Sequence, residues 1–216
     1  MSLRVEVVVV TPFQQNCSVI WCSETLKAAI VDPGGDVEKI TQLIEKHQLT
    51  VEKVLLTHGH LDHAGGAEAL KRQLQIPIIG PQKKDAFWLE GIEAQGKSYG
   101  FNGAENCYPD QWLEEGAEIT IGNEKLEVLH CPGHTPGHLV FFHRTSQLAF
   151  VGDVIFKGSI GRTDFPQGNH QDLLDSITQK LWPLGGDTRF VSGHGGISDF
   201  KTERQSNPFV ADQVLA

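Results

Sequence analysis

Four times along the chain an apolar, strand-like run ends directly in a loop that carries histidine or aspartate. This recurrence limits the folds open to the sequence. The stretches are "VLLTHGHLDHAGG" from Val54, "KLEVLHCPGHTPGH" from Lys125, "AFVGDVIF" from Ala149 and "RFVSGHGG" from Arg189. Loops beyond strand ends are where binding and catalytic groups usually sit. A fold that uses all four loops together has to bring the ends of several strands to one place.

The first stretch is the densest. In "HGHLDH", His58 and His60 are two positions apart, a spacing that faces them apart on a helix but puts them on one side of an extended segment. They can grip one ion from such a segment, and a bend at Asp62 and His63 points the next pair at a second. Gly59, Gly65 and Gly66 are read as relaxing the backbone for that bend. His134 lies at the centre of a Pro/Gly-punctuated loop, and His194 lies between glycines. Asp153 ends an apolar strand, where an unpaired carboxylate is costly without a cation. These five histidines and two aspartates are enough for two metals sharing the Asp153 carboxylate. Imidazole with carboxylate suits zinc first, with iron or manganese as alternatives, rather than calcium or magnesium.

The rest of the chain fits an α/β protein. Strands are expected at Val5–Val10, Ser18–Cys22, Lys27–Val31, Val51–Leu56, Ile76–Ile79, Glu118–Ile121, Lys125–Leu129, Leu139–His143, Leu148–Val151 and Arg189–Ser192. Helices are expected over Asp36–Gln48, with Asp36 as N-cap, along the stripe of Ala67, Leu70 and Leu74, and from about Gln171 to Leu181. The aromatic-rich middle, Gln82 to Glu118, reads as helix and loop over the site. No linker divides the chain, so residues 1–216 are expected to form one domain, with two mixed sheets flanked by helices.

Charge and composition narrow the partners. A net charge of −9 disfavours nucleic acid, which wants basic stripes. The apolar run Val7–Val10 is too short for a membrane span or a signal-peptide core. Cys17, Cys22, Cys107 and Cys131 show no CxxC pairing, which suits a reduced, cytoplasmic protein.

From "TPFQQNC" to "SGHGG" the chain resembles the metallo-β-lactamase superfamily, whose members share an αβ/βα four-layer sandwich. The resemblance implies a first metal site of His58, His60 and His134, a second of Asp62, His63 and His194, and Asp153 as the bridge. Within the superfamily it looks most like glyoxalase II, the hydroxyacylglutathione hydrolases, in a short form. Only 22 residues follow His194, too few for the helical domain of the full-length enzymes. Arg162 matches the basic residue that holds the glutathione glycine carboxylate in those enzymes, but Asp164 replaces the aromatic that accompanies it. "GRTDF" also resembles persulfide dioxygenases, which would hold one iron through His58, His134 and Asp153.

The expected function is therefore hydrolysis of a small thioester, most simply S-(2-hydroxyacyl)glutathione such as S-lactoylglutathione. One or two divalent ions would supply hydroxide, and Asp62 would orient it. An iron-dependent glutathione persulfide dioxygenase is the alternative, and a non-enzymatic metal-holding module a third reading. Arg162 has two readings, a substrate anchor or a partner of Asp164. Tyr99 and Trp112 divide between substrate wall and packing. His138 is expected to support the site rather than ligate, and Cys131 to be an inert small residue.

Overall fold

In the computed structural model, residues 2–101 and 103–215 are described. The first sheet contains β1 (Leu3–Val10), β2 (Gln15–Cys22), β3 (Lys27–Val31), β4 (Thr50–Leu55) and β5 (Ile78–Ile79) in that spatial order. The second runs β13-β12-β9-β8-β7-β6. Its strands are β6 (Glu118–Ile121), β7 (Glu124–His130), β8 (Leu139–His143), β9 (Leu148–Gly152), β12 (Arg189–Ser192) and β13 (Ser198–Asp199). A separate hairpin of β10 (Ile155–Phe156) and β11 (Ser159–Ile160) lies near the site. Both large sheets are mixed: β3 is parallel to β4 and antiparallel to β2, and β9 is parallel to β12 and antiparallel to β8.

The four layers follow from side-chain alternation. Successive residues of a strand point to opposite faces, and here both faces are apolar. In β3, Ala28 and Ile30 enter a core beneath the helices, whereas Ala29 and Val31 enter the core between the sheets. In β8, Leu139 and Phe141 face the inter-sheet core, and Val140 and Phe142 face a third core under the opposite helices. Continuous apolar runs of this kind are the signature of strands covered on both sides. Helices α1 (Val37–Lys46), α2 (Leu61–Ala64), α3 (Ala67–Leu74), α4 (Ala86–Leu89) and α5 (Ile92–Ser98) cover the first sheet. Helix α6 (His170–Asp175), which widens into a π-helical turn over Ser176–Leu181, and α7 (Phe200–Ser206) cover the second. A short α8 (Asp212–Leu215) follows.

The expected αβ/βα sandwich of two mixed sheets is the observed architecture, but three local expectations are corrected. Asp36 occupies the N-cap position with φ of 47° and makes no side-chain cap. Its carboxylate instead accepts from the Thr11 amide and pairs with Lys39. The strand expected at Ile76–Ile79 shrinks to two residues, because Pro77 offers no N–H to a ladder. Gly59, Gly65 and Gly66 do not adopt left-handed conformations. They allow close approach: a Cβ on Gly66 would stand 2.7 Å from the Pro33 carbonyl, and one on Gly59 2.8 Å from the Trp88 Cβ.

Candidate metal centre

The loops after β3, β4, β7, β9 and β12 all leave from strand C-terminal ends at one edge of the paired sheets. The start of β2 ties the sheets together there. The Asn16 amide donates to the Gly193 carbonyl at 2.7 Å, and Asn16 Nδ2 donates to the carbonyls of Ser192 and Gly195. His60 is extended (φ of −72°, ψ of 151°), and α2 begins at Leu61. This turns Asp62 and His63 away from the first pair, so the bend expected there is one helical turn.

Three imidazole nitrogens meet at one point. His58 Nε2 lies 3.1 Å and His134 Nε2 3.0 Å from His60 Nδ1. The outer nitrogens of two of the rings fix their tautomers. Thr57 Oγ1 gives its one proton to Asp32 Oδ2 at 2.6 Å, so its 3.0 Å contact with His58 Nδ1 is accepted from an Nδ1–H. His134 Nδ1–H donates to the Arg162 carbonyl at 2.7 Å. Both Nε2 atoms therefore carry lone pairs that face His60 Nδ1, the arrangement in which three imidazoles can share one cation. Burial lowers His58 well below the ordinary histidine range and takes His60 to about 3, with neighbouring imidazoles adding to both shifts. His134 is lowered by burial too. The three rings are neutral at neutral pH, the charge state that metal ligation requires.

The second group is acidic. His194 Nε2 lies 3.1 Å from Asp62 Oδ2, and His63 Nε2 lies 3.8 Å from the same oxygen. Asp153 joins the groups, with Oδ1 3.3 Å from His63 Nε2 and Oδ2 3.6 Å from His134 Nε2 and 3.7 Å from His194 Nε2. Burial alone would raise Asp153, but His63 first, then His134 and His194, hold it well below the carboxylate range. Conversely, burial would lower His63, and the Asp153 and Asp62 carboxylates outweigh it and raise the ring well above its usual value. His63 Nε2, His60 Nε2 and Asp153 Oδ1 are buried without hydrogen-bond partners. Protons are attracted here because two carboxylates face inward, which is the charge pattern a divalent cation satisfies. The donor set and the orphaned atoms fit metal ions.

All seven side chains expected at the site, His58, His60, Asp62, His63, His134, Asp153 and His194, stand in this cluster. Arg162 lies on the cavity wall, where its guanidinium forms two hydrogen bonds to Asp164 (3.0 and 2.8 Å) and stacks over Phe165 at 4.6 Å. His138 stacks on His58 at 4.6 Å, and its Nε2 accepts from the Asp153 amide at 3.1 Å. Tyr99 lines the cavity, whereas Trp112 packs against the helix-side core. Cys131 is buried, with its thiol pushed up to about 12 by burial.

Two supporting residues went unread in the sequence. Asp32 accepts the Thr57 amide at 2.7 Å, the Thr57 hydroxyl, and His63 Nδ1–H at 2.9 Å. It therefore sets the tautomer of His63 directly and of His58 through Thr57. Asp32 also stands near His58 and His63 in a ligand-like trio, but its oxygens are filled by these donors, so it orients rather than ligates. Its signal was present, since it follows the apolar run KAAIV as Asp153 follows LAFVG. Asp85 had no such signal within "PQKKDAFW". Fully buried, it accepts from the amides of Gly59 (2.9 Å) and Gly137 (2.5 Å) and from Thr135 Oγ1 (2.7 Å). It thereby clamps the His58/His60 loop to the His134 loop.

The cavity above the cluster is about 550 Å³ and is bordered by His60, Asp62, Asp153, Phe156, Arg162 and His194, among others. Among the described residues, no helix is long and apolar enough to cross a membrane. The pattern that defines the Metallo-beta-lactamase superfamily matches residues 10–194. Hydroxyacylglutathione hydrolase GloC of Haemophilus influenzae is 44% identical over 209 residues, covering 96% of this chain and 98% of that protein. Among solved structures, the BLEG-1 B3 metallo-beta-lactamase superposes with a TM-score of 0.88 at 34% identity, covering 96% of this chain and 99% of that one. TTHA1623 in a di-iron-bound form gives a TM-score of 0.86 at 32% identity, covering 95% and 100%. With its converging histidines and carboxylates, the chain belongs to the metallo-beta-lactamase superfamily, as a metal-dependent hydrolase similar to the glyoxalase II enzymes.

Proposed function

We propose that residues 1–216 form one catalytic unit that hydrolyses small thioesters, S-(2-hydroxyacyl)glutathione such as S-lactoylglutathione foremost, in the cytoplasm. The observation that carries this reading is the convergence of imidazole lone pairs and two carboxylates on the floor of an open cavity. His58, His60 and His134 would hold one divalent ion and Asp62, His63 and His194 a second, with Asp153 between them. Zinc suits the donors best, and iron, as in the di-iron form of TTHA1623, or manganese is compatible with them. A divalent ion in such a site supplies Lewis acidity, lowering the pKa of water to about 7 and polarising a carbonyl.

The chain's own residues do the rest. Asp62 is held below the ordinary carboxylate range because His63 and His194 outweigh the burial that opposes them. It stays ionised and accepts a hydrogen bond from the attacking water, fixing its direction rather than acting as a strong base. Attack forms the new C–O bond, and the C–S bond then breaks. The thiolate, with a parent pKa of about 8.5, departs without a proton donor. The water's two protons pass to solvent and the thiolate takes one back, so the products at neutral pH are a carboxylate, a free thiol and one released proton. Arg162, at the cavity mouth, is positioned to meet an anionic end of the substrate once Asp164 releases it.

Metal analysis of the purified protein with paired assays tests this reading. Cleavage of S-lactoylglutathione without oxygen, lost together with bound metal in Asp153→Ala, is the expected result. Oxygen uptake with glutathione persulfide and no thioester cleavage would replace it with the iron-dependent dioxygenase.

A further inference from the structure

One wall of the cavity is held from behind. Phe156, Ser159 and Ile160 of the β10–β11 hairpin border the cavity. This hairpin joins the bridging Asp153 to Arg162, and the Phe156 ring stands 6.1 Å from that of His194. Among the described residues its strands pair only with each other, and two residues per strand cannot hold a hairpin in place alone. Ile155 and Ile160 root its base in the core under α6 and α7. Its tip, Lys157 and Gly158, is exposed.

The tip is fastened by two residues near the end of the chain. Glu203 in α7 is 1% exposed, and Asn207, at the C-cap of that helix, is fully buried. Four positions apart, they share one helix face. Glu203 Oε2 accepts the Gly158 amide at 2.9 Å. The two protons of Asn207 Nδ2 divide between the same Oε2, at 2.8 Å, and the Ser159 carbonyl, at 3.1 Å. Glu203 Oε1 accepts from the Ser198 hydroxyl. A carboxylate taken out of water with neutral partners is costly, and an apolar side chain of similar size avoids that cost. What the polar pair adds is two bonds to the hairpin tip, reaching across 45 and 48 positions of sequence.

On the thioesterase reading above, we propose that Glu203 and Asn207 are positioning residues for the substrate. They latch the hairpin tip so that Phe156, Ser159 and Ile160 form a standing wall of the site before the thioester arrives. Their side-chain bonds go to the hairpin, to each other, to Ser198 and to the Phe209 amide, whereas the metal ligands have their own supports in Asp32 and Asp85. The latch therefore acts on binding rather than on the chemical step.

Glu203→Leu keeps the volume of the side chain and removes the acceptor. KM for S-lactoylglutathione on the metal-loaded protein should rise about tenfold, the scale of ordering one or two side chains on binding. Bound metal and kcat should stay within about twofold of wild type, and hydrogen exchange at the Gly158 amide should accelerate. Glu203→Gln should restore KM and the slow exchange, because its Oε1 can take the Gly158 and Asn207 protons while its NH2 donates to Ser198 Oγ. Ser198→Ala removes the third donor without touching the hairpin, so it should lower stability in denaturant and leave KM unchanged. Should Glu203→Leu not fold, Asn207→Ser, which withdraws the donor from the Ser159 carbonyl, carries the same expectation for KM. A wild-type KM in the latch variant, a KM raised equally by Glu203→Gln or Ser198→Ala, or a fall in kcat alone overturns the latch and leaves the thioesterase standing. A wild-type protein that cleaves no thioester overturns the thioesterase reading and the substrate role of the latch together.

Discussion

Replacing Asp32 by asparagine changes one oxygen to an NH2 and tests how the ligands are oriented. In the wild-type protein Oδ1 accepts the Thr57 amide, while Oδ2 accepts both the Thr57 hydroxyl and His63 Nδ1–H. An asparagine that keeps its oxygen on the Thr57 amide turns its NH2 toward His63 Nδ1, 2.9 Å away in the wild type. A ring that accepts at Nδ1 carries its proton on Nε2, the atom that faces Asp153 and Asp62. The lone pair required there is lost. The flipped amide instead sets its NH2 against the Thr57 N–H, so neither orientation satisfies every partner. Loss of such an orienting partner weakens metal binding by about 10–100-fold, which corresponds to about 1.4–2.7 kcal/mol. Competition against a chromogenic chelator reads the affinity, and the ring-nitrogen chemical shifts of His63 in the zinc-loaded protein read the tautomer. Wild-type affinity with an unchanged Nδ1–H tautomer in Asp32→Asn would refute the orienting role.

Three more tests follow from the geometry. His58, His60, His134 and His138 all have folded-state pKa values depressed below 6.5, so the stability they carry is present above 6.5 and is lost as pH falls toward their folded values. Burial opposes protonation of His63 and His194, but nearby carboxylates raise both, and the two offset little of this loss below 6.5. The metal-stripped protein should lose stability between pH 6.5 and 5.5, by at most about 1.4 kcal/mol for each depressed ring, and urea unfolding at the two pH values with no difference would contradict the assignment. Asp85→Ala strands three buried donors at about 1–3 kcal/mol each, offset in part because burial had pushed its carboxyl up to about 6. A net loss of about 2–4 kcal/mol in denaturant unfolding is expected, with looser metal binding at the histidine trio. In Gly193→Ala, the new Cβ would stand 2.1 Å from Asp153 Oδ1 and 2.4 Å from His63 Cε1. That variant should fold yet bind metal poorly, as read by elemental analysis after gel filtration.

Strand positions and the seven clustered side chains were legible in the chain because both are local signals. Short continuous apolar runs mark β8 and β9 without reference to anything distant, and an HxHxDH stretch is chemically unusual wherever it lies. Asp153 could be singled out because a carboxylate ending an apolar strand demands a partner, and Asp32 satisfies the same rule. Local signals stop at distances the sequence does not encode. The β10–β11 hairpin, two residues per strand, is too short to register as a pattern. Asp85 reads as one charge in a polar stretch until the fold brings Gly59 and Gly137 to its oxygens, 26 and 52 positions away. The proton positions on His58 and His63 and the close passage of Gly193 likewise depend on which atoms end up adjacent. Residue types determined by themselves that this chain carries a set of metal-ligand side chains, and only tertiary packing decided which nitrogen of each ring faces into their cluster.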